Sequence, residues 1–324
     1  MGNFLIRRAL QALLVLIVMS LLLFVGIYAI GNPVDILINP QADQRDIEIA
    51  MHALGLDQSL WRQYIAFVQH ALSGDLGQSF VYNVPALDLV LSRAPATLEL
   101  AIAAMLIAVV AGIPLGVWAG MRPNSLIGKS IMAGSILGFS LPTFWVGLLL
   151  IMLFGVQLGW LPASGRGATT ELLGVPVSFL SLDGLAHIAL PAFNLALFKL
   201  SLLIRLARSG TREALQQDYV RAARAKGLSE GRVVCGHVLK NILLPIITVV
   251  GLEFGSLVAF AVVTETIFAW PGMGKLLIDA INVLDRPVIV AYMLLTVLLF
   301  VLINLVVDVL YTTLDPRVRL AGRA

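Results

Sequence analysis

Cysteine is almost absent. Cys235 is the only one in 324 residues, which excludes an intrachain disulfide framework and any cysteine-rich metal site. Histidine is scarce as well, and His52, His70, His187 and His237 never form the His-Glu-x-x-His spacing of a zinc hydrolase, so no metal site is read from the sequence. No Gly-x-Ser-x-Gly nucleophile turn occurs. Gly128-Lys129-Ser130 matches the end of a nucleotide-binding P-loop, but the first glycine of that loop would fall at Pro123, and an apolar run precedes it in place of a strand. The sequence therefore shows no catalytic residue and no means of using ATP. Charge is the largest deficit: 13% of residues are charged, against roughly 25% in a soluble domain. With 59% hydrophobic residues, the chain belongs in a membrane. A cleavable signal peptide is not expected, because the first apolar run is too long and lacks a small-residue cleavage site.

Long apolar runs are what the chain has in quantity. Ala9–Ile30, Leu100–Trp118, Ile131–Val156, Ile188–Leu206, Ile242–Val263 and Val288–Leu310 each come near the roughly 20 residues that cross a bilayer as a helix. They predict an all-α integral membrane protein with six transmembrane helices. Sorting Lys and Arg between alternate loops orients it. With the N-terminus inside, Arg45, Arg62, Arg93, Arg166, Lys275 and Arg286 fall outside and the other sixteen of the 22 basic residues inside. Cytoplasmic loops collect Lys and Arg, so both termini are predicted to be cytoplasmic.

The outer segment Gly31–Thr97 is the largest region predicted outside lipid, and it is acidic, with Asp35, Asp43, Asp46, Glu48, Asp57, Asp75 and Asp88. Gln44–Leu54 and Ser59–Leu72 read as helices closed by Gly55 and Gly74. The second has Leu60, Tyr64, Val68 and Leu72 on one apolar face. Such a segment can cap the outer rim and also serve as a landing site for an external partner. The predicted organisation is residues 1–30 as inner N-terminus and first span, 31–97 as outer helical segment, and 98–324 as a five-helix core with an inner loop at 207–241.

Within the runs, Gly112, Gly116 and Gly120, then Gly134 and Gly138, then Gly251 and Gly255 recur every four residues, a spacing that lets helices approach closely in lipid. Pro114, Pro142, Pro191 and Pro245 can each kink or break a span. Ionisable residues in or near the runs are Glu99, Lys199, Arg205, Glu253, Glu265 and Asp308. A charge at the centre of a spanning helix costs roughly 2.5–3.5 kcal/mol on insertion scales. Glu99, Arg205, Glu265 and Asp308 lie close enough to span ends to snorkel. Glu253 is deepest, a lone carboxylate that is either packed and hydrogen-bonded or a polar point on a translocation pathway. Asn194 and Asn304 read as hydrogen-bonding glue between helices.

Between the fourth and fifth runs, Arg205 to Lys240 concentrate basic charge among small alanines. Its centre reads Asp218-Tyr-Val-Arg-Ala-Ala-Arg-Ala-Lys-Gly-Leu-Ser-Glu-Gly-Arg232. Tyr219, Ala222, Ala223 and Lys226 fall at i, i+3, i+4 and i+7, so a helix here puts them on one face. Asp218 can cap that helix and Gly227 can end it in a left-handed turn. A folded basic loop in the cytoplasm is a docking surface, for a protein cleft or for anionic lipid.

These features resemble the membrane subunit of a bacterial ABC importer. Arg221-Ala222-Ala223-x3-Gly227, followed by Leu244-Pro245, is similar to the inner-loop signature of such permeases. It differs in having Arg221 where the general motif is acidic and in a longer stretch from Gly227 to Pro245. Both differences resemble the dipeptide, oligopeptide and nickel branch. Leu54-Gly-Leu-Asp57, Gly74-Asp-Leu-Gly77-x-Ser79, Pro95-Ala-Thr-Leu98, Thr264-Glu-Thr-Ile-Phe268, Trp270-Pro-Gly-Met-Gly274 and Asp308-x2-Tyr311-x3-Asp315-Pro-Arg317 look like the first permease of that branch's pair. The outer turn Trp270-Pro271-Gly272 also has a local reading, with Pro-Gly in a type II turn and Trp270 as a membrane-interface anchor.

The resemblance implies a bacterial inner-membrane permease that translocates di- or oligopeptides or a related small solute. Its implied partners are a second homologous permease, two cytoplasmic ATPases, an extracytoplasmic solute-binding protein and membrane lipid, with no nucleic acid. ATP and Mg²⁺ are expected in the ATPases, with no cofactor on this chain. Tyr219, Arg221, Ala222, Ala223, Lys226 and Gly227 would form the ATPase-coupling loop. The alternative from another class is a self-sufficient secondary transporter or channel, with Glu253 as a coupling-ion site; no inverted repeat of the kind such transporters often show is visible.

Overall fold

The structure is a computed structural model in which residues 2–29, 52 and 57–314 are described. Apart from His52, the predicted helix Gln44–Leu54 lies outside them, as do the acidic residues Asp35, Asp43, Asp46 and Glu48 and the Asp315-Pro-Arg317 segment. The helices are α1 (Gly2–Ala29), α2 (Leu60–Ser73), α3 (Ala86–Met121), α4 (Leu126–Ser140), α5 (Thr143–Leu150), α6 (Leu182–Leu215), α7 (Asp218–Ala225), α8 (Glu230–Val233), α9 (Leu239–Phe260), α10 (Val262–Ile267), α11 (Met273–Asn282) and α12 (Arg286–Leu314). A π-helical stretch, Ile151–Gln157, prolongs α5, and another, Val234–Val238, joins α8 to α9. Among the described residues, five helices are long and apolar enough to cross a membrane: Ile6–Gly26, Ala86–Met121, Leu182–Leu215, Glu230–Phe260 and Arg286–Val307. The pair Leu126–Ser140 and Thr143–Gln157, bent by 107°, makes the sixth if it is one span.

That bend falls within the third predicted run. Leu141 is extended, at φ −81° and ψ 135°, because the residue before a proline avoids helical geometry, and Pro142 opens the next helix. Pro114, Pro191 and Pro245 all lie inside continuous helices.

The chain divides into two compact units, Met1–Ser92 with Asp279–Val301, and Arg93–Ile278 with Leu302–Ala324. In the first, α2 starts after Ser59 and ends at Gly74, which is left-handed at φ 79° as the sequence predicts. Its contact face keeps Tyr64 of the predicted stripe and adds Phe67. Tyr64 and Phe67 meet Phe24 of α1, with ring centres 5.4 and 6.0 Å away, and the Tyr64 hydroxyl lies 2.8 Å from Ser20 Oγ. Leu60 and Leu72 point outward. Nearby, Asp285 accepts hydrogen bonds from Ser79 Oγ and, at 3.3 Å, from the Phe80 amide, with both Ser79 and Asp285 buried.

In the second unit the glycine stripe of α3 lies against α6. A Cβ at Gly116 would stand 2.5 Å from the Ile204 carbonyl, and one at Gly120 2.7 Å from Thr211 Cβ. Small residues have here become a close backbone contact. Gly251 meets Val307 of α12 and Gly138 meets Ser201 of α6, whereas Gly134 faces open space. Between α5 and α6 the chain makes a two-stranded hairpin, Thr170–Leu172 with Val175–Val177. Leu173 and Gly174 both have positive φ, 53° and 79°, the signature of a type I′ turn. The sequence reading did not foresee this hairpin, since Leu-Gly is not the usual pair for such a turn.

Candidate functional site

The loop after α6 is folded throughout. Gln217, extended at ψ 150°, precedes α7 and occupies the cap position; Asp218 is the first helical residue, 3.3 Å from Arg221 in an exposed pair. Asp218 thus serves the helix as a first-turn acid beside the amide ends, not as the predicted cap. α7 closes in a Schellman turn: the Leu228 amide donates to the Ala223 carbonyl at 3.3 Å and the Gly227 amide to Arg224 at 2.9 Å, with Gly227 at φ 78°. Beyond the turn, Arg224 grips Glu230 of α8 with two bonds of 2.9 and 3.1 Å. Arg224, exposed as it is, links the two loop helices.

The faces of α7 also differ from expectation. Val220 and Ala223 are buried, while Tyr219, Arg221, Ala222 and Lys226 are exposed. Ala223 therefore belongs to the seat of the helix on its own chain, where α7 contacts α6 and the π-helical stretch, and it is removed from the predicted docking face. Of the predicted face, Tyr219, Ala222 and Lys226 stay exposed, flanked by Arg221.

Deep in the spans, Glu253 is not a lone carboxylate. Lys199 Nζ of α6 donates to it, and Ser256 Oγ lies 3.1 Å from the same oxygen. Asn194 behaves as read, its Nδ2 donating to Thr264 Oγ1 at 3.1 Å between α6 and α10. Arg205 stacks over Phe139, 4.4 Å from the ring centre. The side chain of Asp308 lies outside the described residues.

Glu99 and Glu265, expected to snorkel, are buried instead, because each has a full set of donors within the chain. Glu99 accepts from Arg166 Nη2 at 2.7 Å, Ser178 Oγ at 2.8 Å and the Phe179 amide at 2.9 Å. Arg166 also donates to the Pro176 carbonyl at 2.6 Å, so one ion pair fastens the hairpin to α3. Glu265 lies beyond the span Glu230–Phe260. It accepts from Thr97 Oγ1 at 2.6 Å and from the Lys275 amide at 3.0 Å. Burial raises its pKa, against the lowering effect of Thr97 and of the Lys275 and Gly274 amides. These amides open α11, so Glu265 meets the positive end of that helix.

The segment Trp270-Pro271-Gly272 is not the predicted interface turn. Trp270 is fully buried and its Nε1 donates to the Ala96 carbonyl at 2.9 Å, so it anchors α3 and not the headgroups. Gly272 has no positive φ, and its amide reaches back to the Trp270 carbonyl at 2.8 Å, a γ-turn centred on Pro271 in place of a type II turn. Gly272 is needed for space: a Cβ there would overlap the Glu265 carboxylate.

Spanning helices in close glycine contact thus carry a folded loop between α6 and α9. Residues 112–320 match the binding-protein-dependent transport system inner membrane component, and residues 1–101 match the N-terminal region of such membrane components; the chain belongs to this family and is a multi-pass inner-membrane permease of the dipeptide and oligopeptide type of ABC importer. It is 43% identical over 302 residues to the di/tripeptide transport system permease protein DppB of Pseudomonas aeruginosa (strain UCBPP-PA14), covering 89% of this chain and 90% of that protein. It is 38% identical to the dipeptide transport system permease protein DppB of Escherichia coli (strain K12), over 98% of this chain and 99% of that one. The glutathione transport system permease protein GsiC of the same strain is also 38% identical, with 98% and 99% covered. Among solved structures, an inward-facing form of the MetNI methionine ABC transporter aligns with a TM-score of 0.53 over 71% of this chain and 98% of that chain, at 17% identity, a likeness of fold. These relatives support the importer reading and give none to the self-sufficient transporter or channel.

Proposed function

We propose that this chain is the first permease of a heterodimeric pair and forms half of an import route for di- or oligopeptides or a related small solute. A homologous permease supplies the other half, two cytoplasmic ATPases bind ATP and Mg²⁺, and an extracytoplasmic binding protein delivers the solute. The chain itself contributes no catalytic residue. The names of the di/tripeptide, dipeptide and glutathione relatives support this solute class.

The observation that carries the reading is the continuity of the inner loop with a span. α7 is closed at Gly227, clamped to α8 by Arg224 and Glu230, and α8 runs without interruption through Val234–Val238 into α9. A partner gripping Tyr219, Ala222 and Lys226 would hold a rigid handle on the helix that carries Glu253. ATP-driven closure of the ATPases would then act on the spans and alternate their access. The test is reconstitution of this chain with its co-expressed partners. ATPase should co-purify with it, and ATP turnover should rise when loaded binding protein is added. A chain that travels alone and moves its solute unaided would overturn the reading.

A further inference from the structure

Lys199 and Glu253 meet well inside two spans, Lys199 in α6 (Leu182–Leu215) and Glu253 in α9 (Leu239–Phe260). The Lys199 ammonium donates to the Glu253 carboxylate and, at 2.7 Å, to Ser256 Oγ. It also rests 5.2 Å from the ring centre of Phe198, within cation–π range. Its side chain is only 11% exposed, whereas that of Glu253 is 31% exposed. The cation is thus largely covered but keeps a narrow opening, and the carboxylate opens onto a surface the chain leaves uncovered. A carboxylate turned toward lipid is costly, so the open side meets water or protein.

An ion pair at this depth is poorly explained as glue. A well-packed apolar pair of similar volume holds two helices together as well or better, because it avoids the desolvation of two charges. The small residues that join α3 to α6 show that this chain has such contacts elsewhere. What an apolar pair cannot do is present one positive and one negative group side by side to a solute in transit.

We propose that Lys199 and Glu253 form a subsite within the membrane for the charged ends of a zwitterionic solute, Glu253 taking the ammonium and Lys199 the carboxylate. The inference rests on the import reading and deepens it, naming the solute groups that the permease itself reads. In the empty site the two side chains neutralise one another, which lets both remain among apolar spans. An arriving zwitterion exchanges partners one for one, so no net charge enters or leaves the site. Both ends of a free peptide are ionised near neutral pH. Ser256, bonded to Lys199 and 3.1 Å from Glu253 Oε2, keeps the two groups aimed at one point while partners change.

The test uses the complete complex in vesicles, with cysteine-free partners and Cys235→Ser in this chain. A charged methanethiosulfonate reagent is applied to Glu253→Cys during turnover, with and without a transported dipeptide. Uptake is measured for Lys199→Met, Glu253→Gln and the exchange Lys199→Glu/Glu253→Lys, each recovered with its ATPases. The thiol should react, and dipeptide should slow the reaction. Uptake at low dipeptide concentration should fall about tenfold or more in each neutral variant, the loss that one charge-assisted hydrogen bond represents. The exchanged pair should stay impaired, because it sets a carboxylate on the face of Phe198 and reverses the polarity the solute meets. A thiol that is inert in every state, one that reacts at the same rate with dipeptide present, or an exchanged pair that restores wild-type uptake overturns the subsite. Should Lys199→Met fail to assemble, the protection of Glu253→Cys still decides. If the wild-type complex takes up no peptide, the peptide reading and the subsite fall together; if it does and the thiol is inert, the subsite alone falls.

Discussion

The carboxylate of Glu265 occupies the space in which a side chain at Gly272 would begin. Thr97 and the opening amides of α11 hold it there. Gly272→Ala should therefore cost about 1–3 kcal/mol, the usual range for overpacking, read as a lower melting temperature of the solubilised protein. Glu265→Gln, of nearly equal shape, should be tolerated. An unchanged melting temperature for Gly272→Ala would show that the Glu265 loop can shift.

Glu265 also predicts a pH dependence. Its pKa is raised, chiefly by burial, above the ordinary 4.5. A carboxylate raised by folding favours the folded state most below its unfolded value, and that contribution is lost as pH rises through the folded one. Stability should therefore decline over the interval that starts near 4.5, and Glu265→Gln should flatten this part of the profile. A slope identical in wild type and variant would assign the effect to other groups.

Arg166 and Glu99 are 11% and 4% exposed in their side chains. Removing one member of a buried pair costs about 3–5 kcal/mol, since the other is left without its counter-charge. Arg166→Ala should loosen the hairpin Thr170–Val177, seen as faster proteolysis there, and Arg166→Lys should restore part of the protection. Lysine restores only part because it lacks the planar fork that reaches both Glu99 and the Pro176 carbonyl.

In the inner loop, shape and docking separate by residue. Gly227→Val should cost roughly 1–2 kcal/mol of backbone strain, because a Cβ there meets no neighbour and conformation alone is penalised. Ala223→Trp should damage the fold of the loop and lower both stability and ATPase co-purification. Ala222→Trp, on the exposed face, should block ATPase co-purification and leave the melting temperature unchanged. Arg224→Gln should be mild, near the 0.2–1 kcal/mol typical of exposed pairs. Wild-type co-purification for Ala222→Trp would move the docking face elsewhere.

Topology has a direct test in the Cys235→Ser background. A cysteine at Leu173, on the exposed hairpin tip, should react with an impermeant thiol reagent added outside sealed cells. One at Gln217, beside α7, should react only after the membrane is opened. Labelling of both from outside would contradict the charge-based orientation.

The spans, the helical loop and the left-handed Gly227 were legible because each rests on local chemistry: apolar run length, small-residue spacing, and a glycine just past a helix. What escaped the sequence depends on partners far apart along the chain. Glu253 reads as alone until α6 brings Lys199 to it, and Glu99 reads as a snorkelling acid until Arg166 arrives from beyond the third run. Trp270 carries the composition of an interface anchor, and only the carbonyl of Ala96 makes it a core residue. On α7, Ala222 and Ala223 are identical in chemistry, and the seat of the helix on its own chain alone decides which one faces outward.

Lys199 has a bearing on how the chain is made. α6, which carries it along with Arg205 and Arg208, is the least apolar of the five long spans and the most enclosed by its neighbours. Its lysine finds its counter-charge only in α9, which is synthesised later. During biogenesis Lys199 is therefore without this partner until the chain beyond Leu239 has entered the membrane. A chain cut short before Leu239 should then hold α6 in the membrane less firmly than the full chain does.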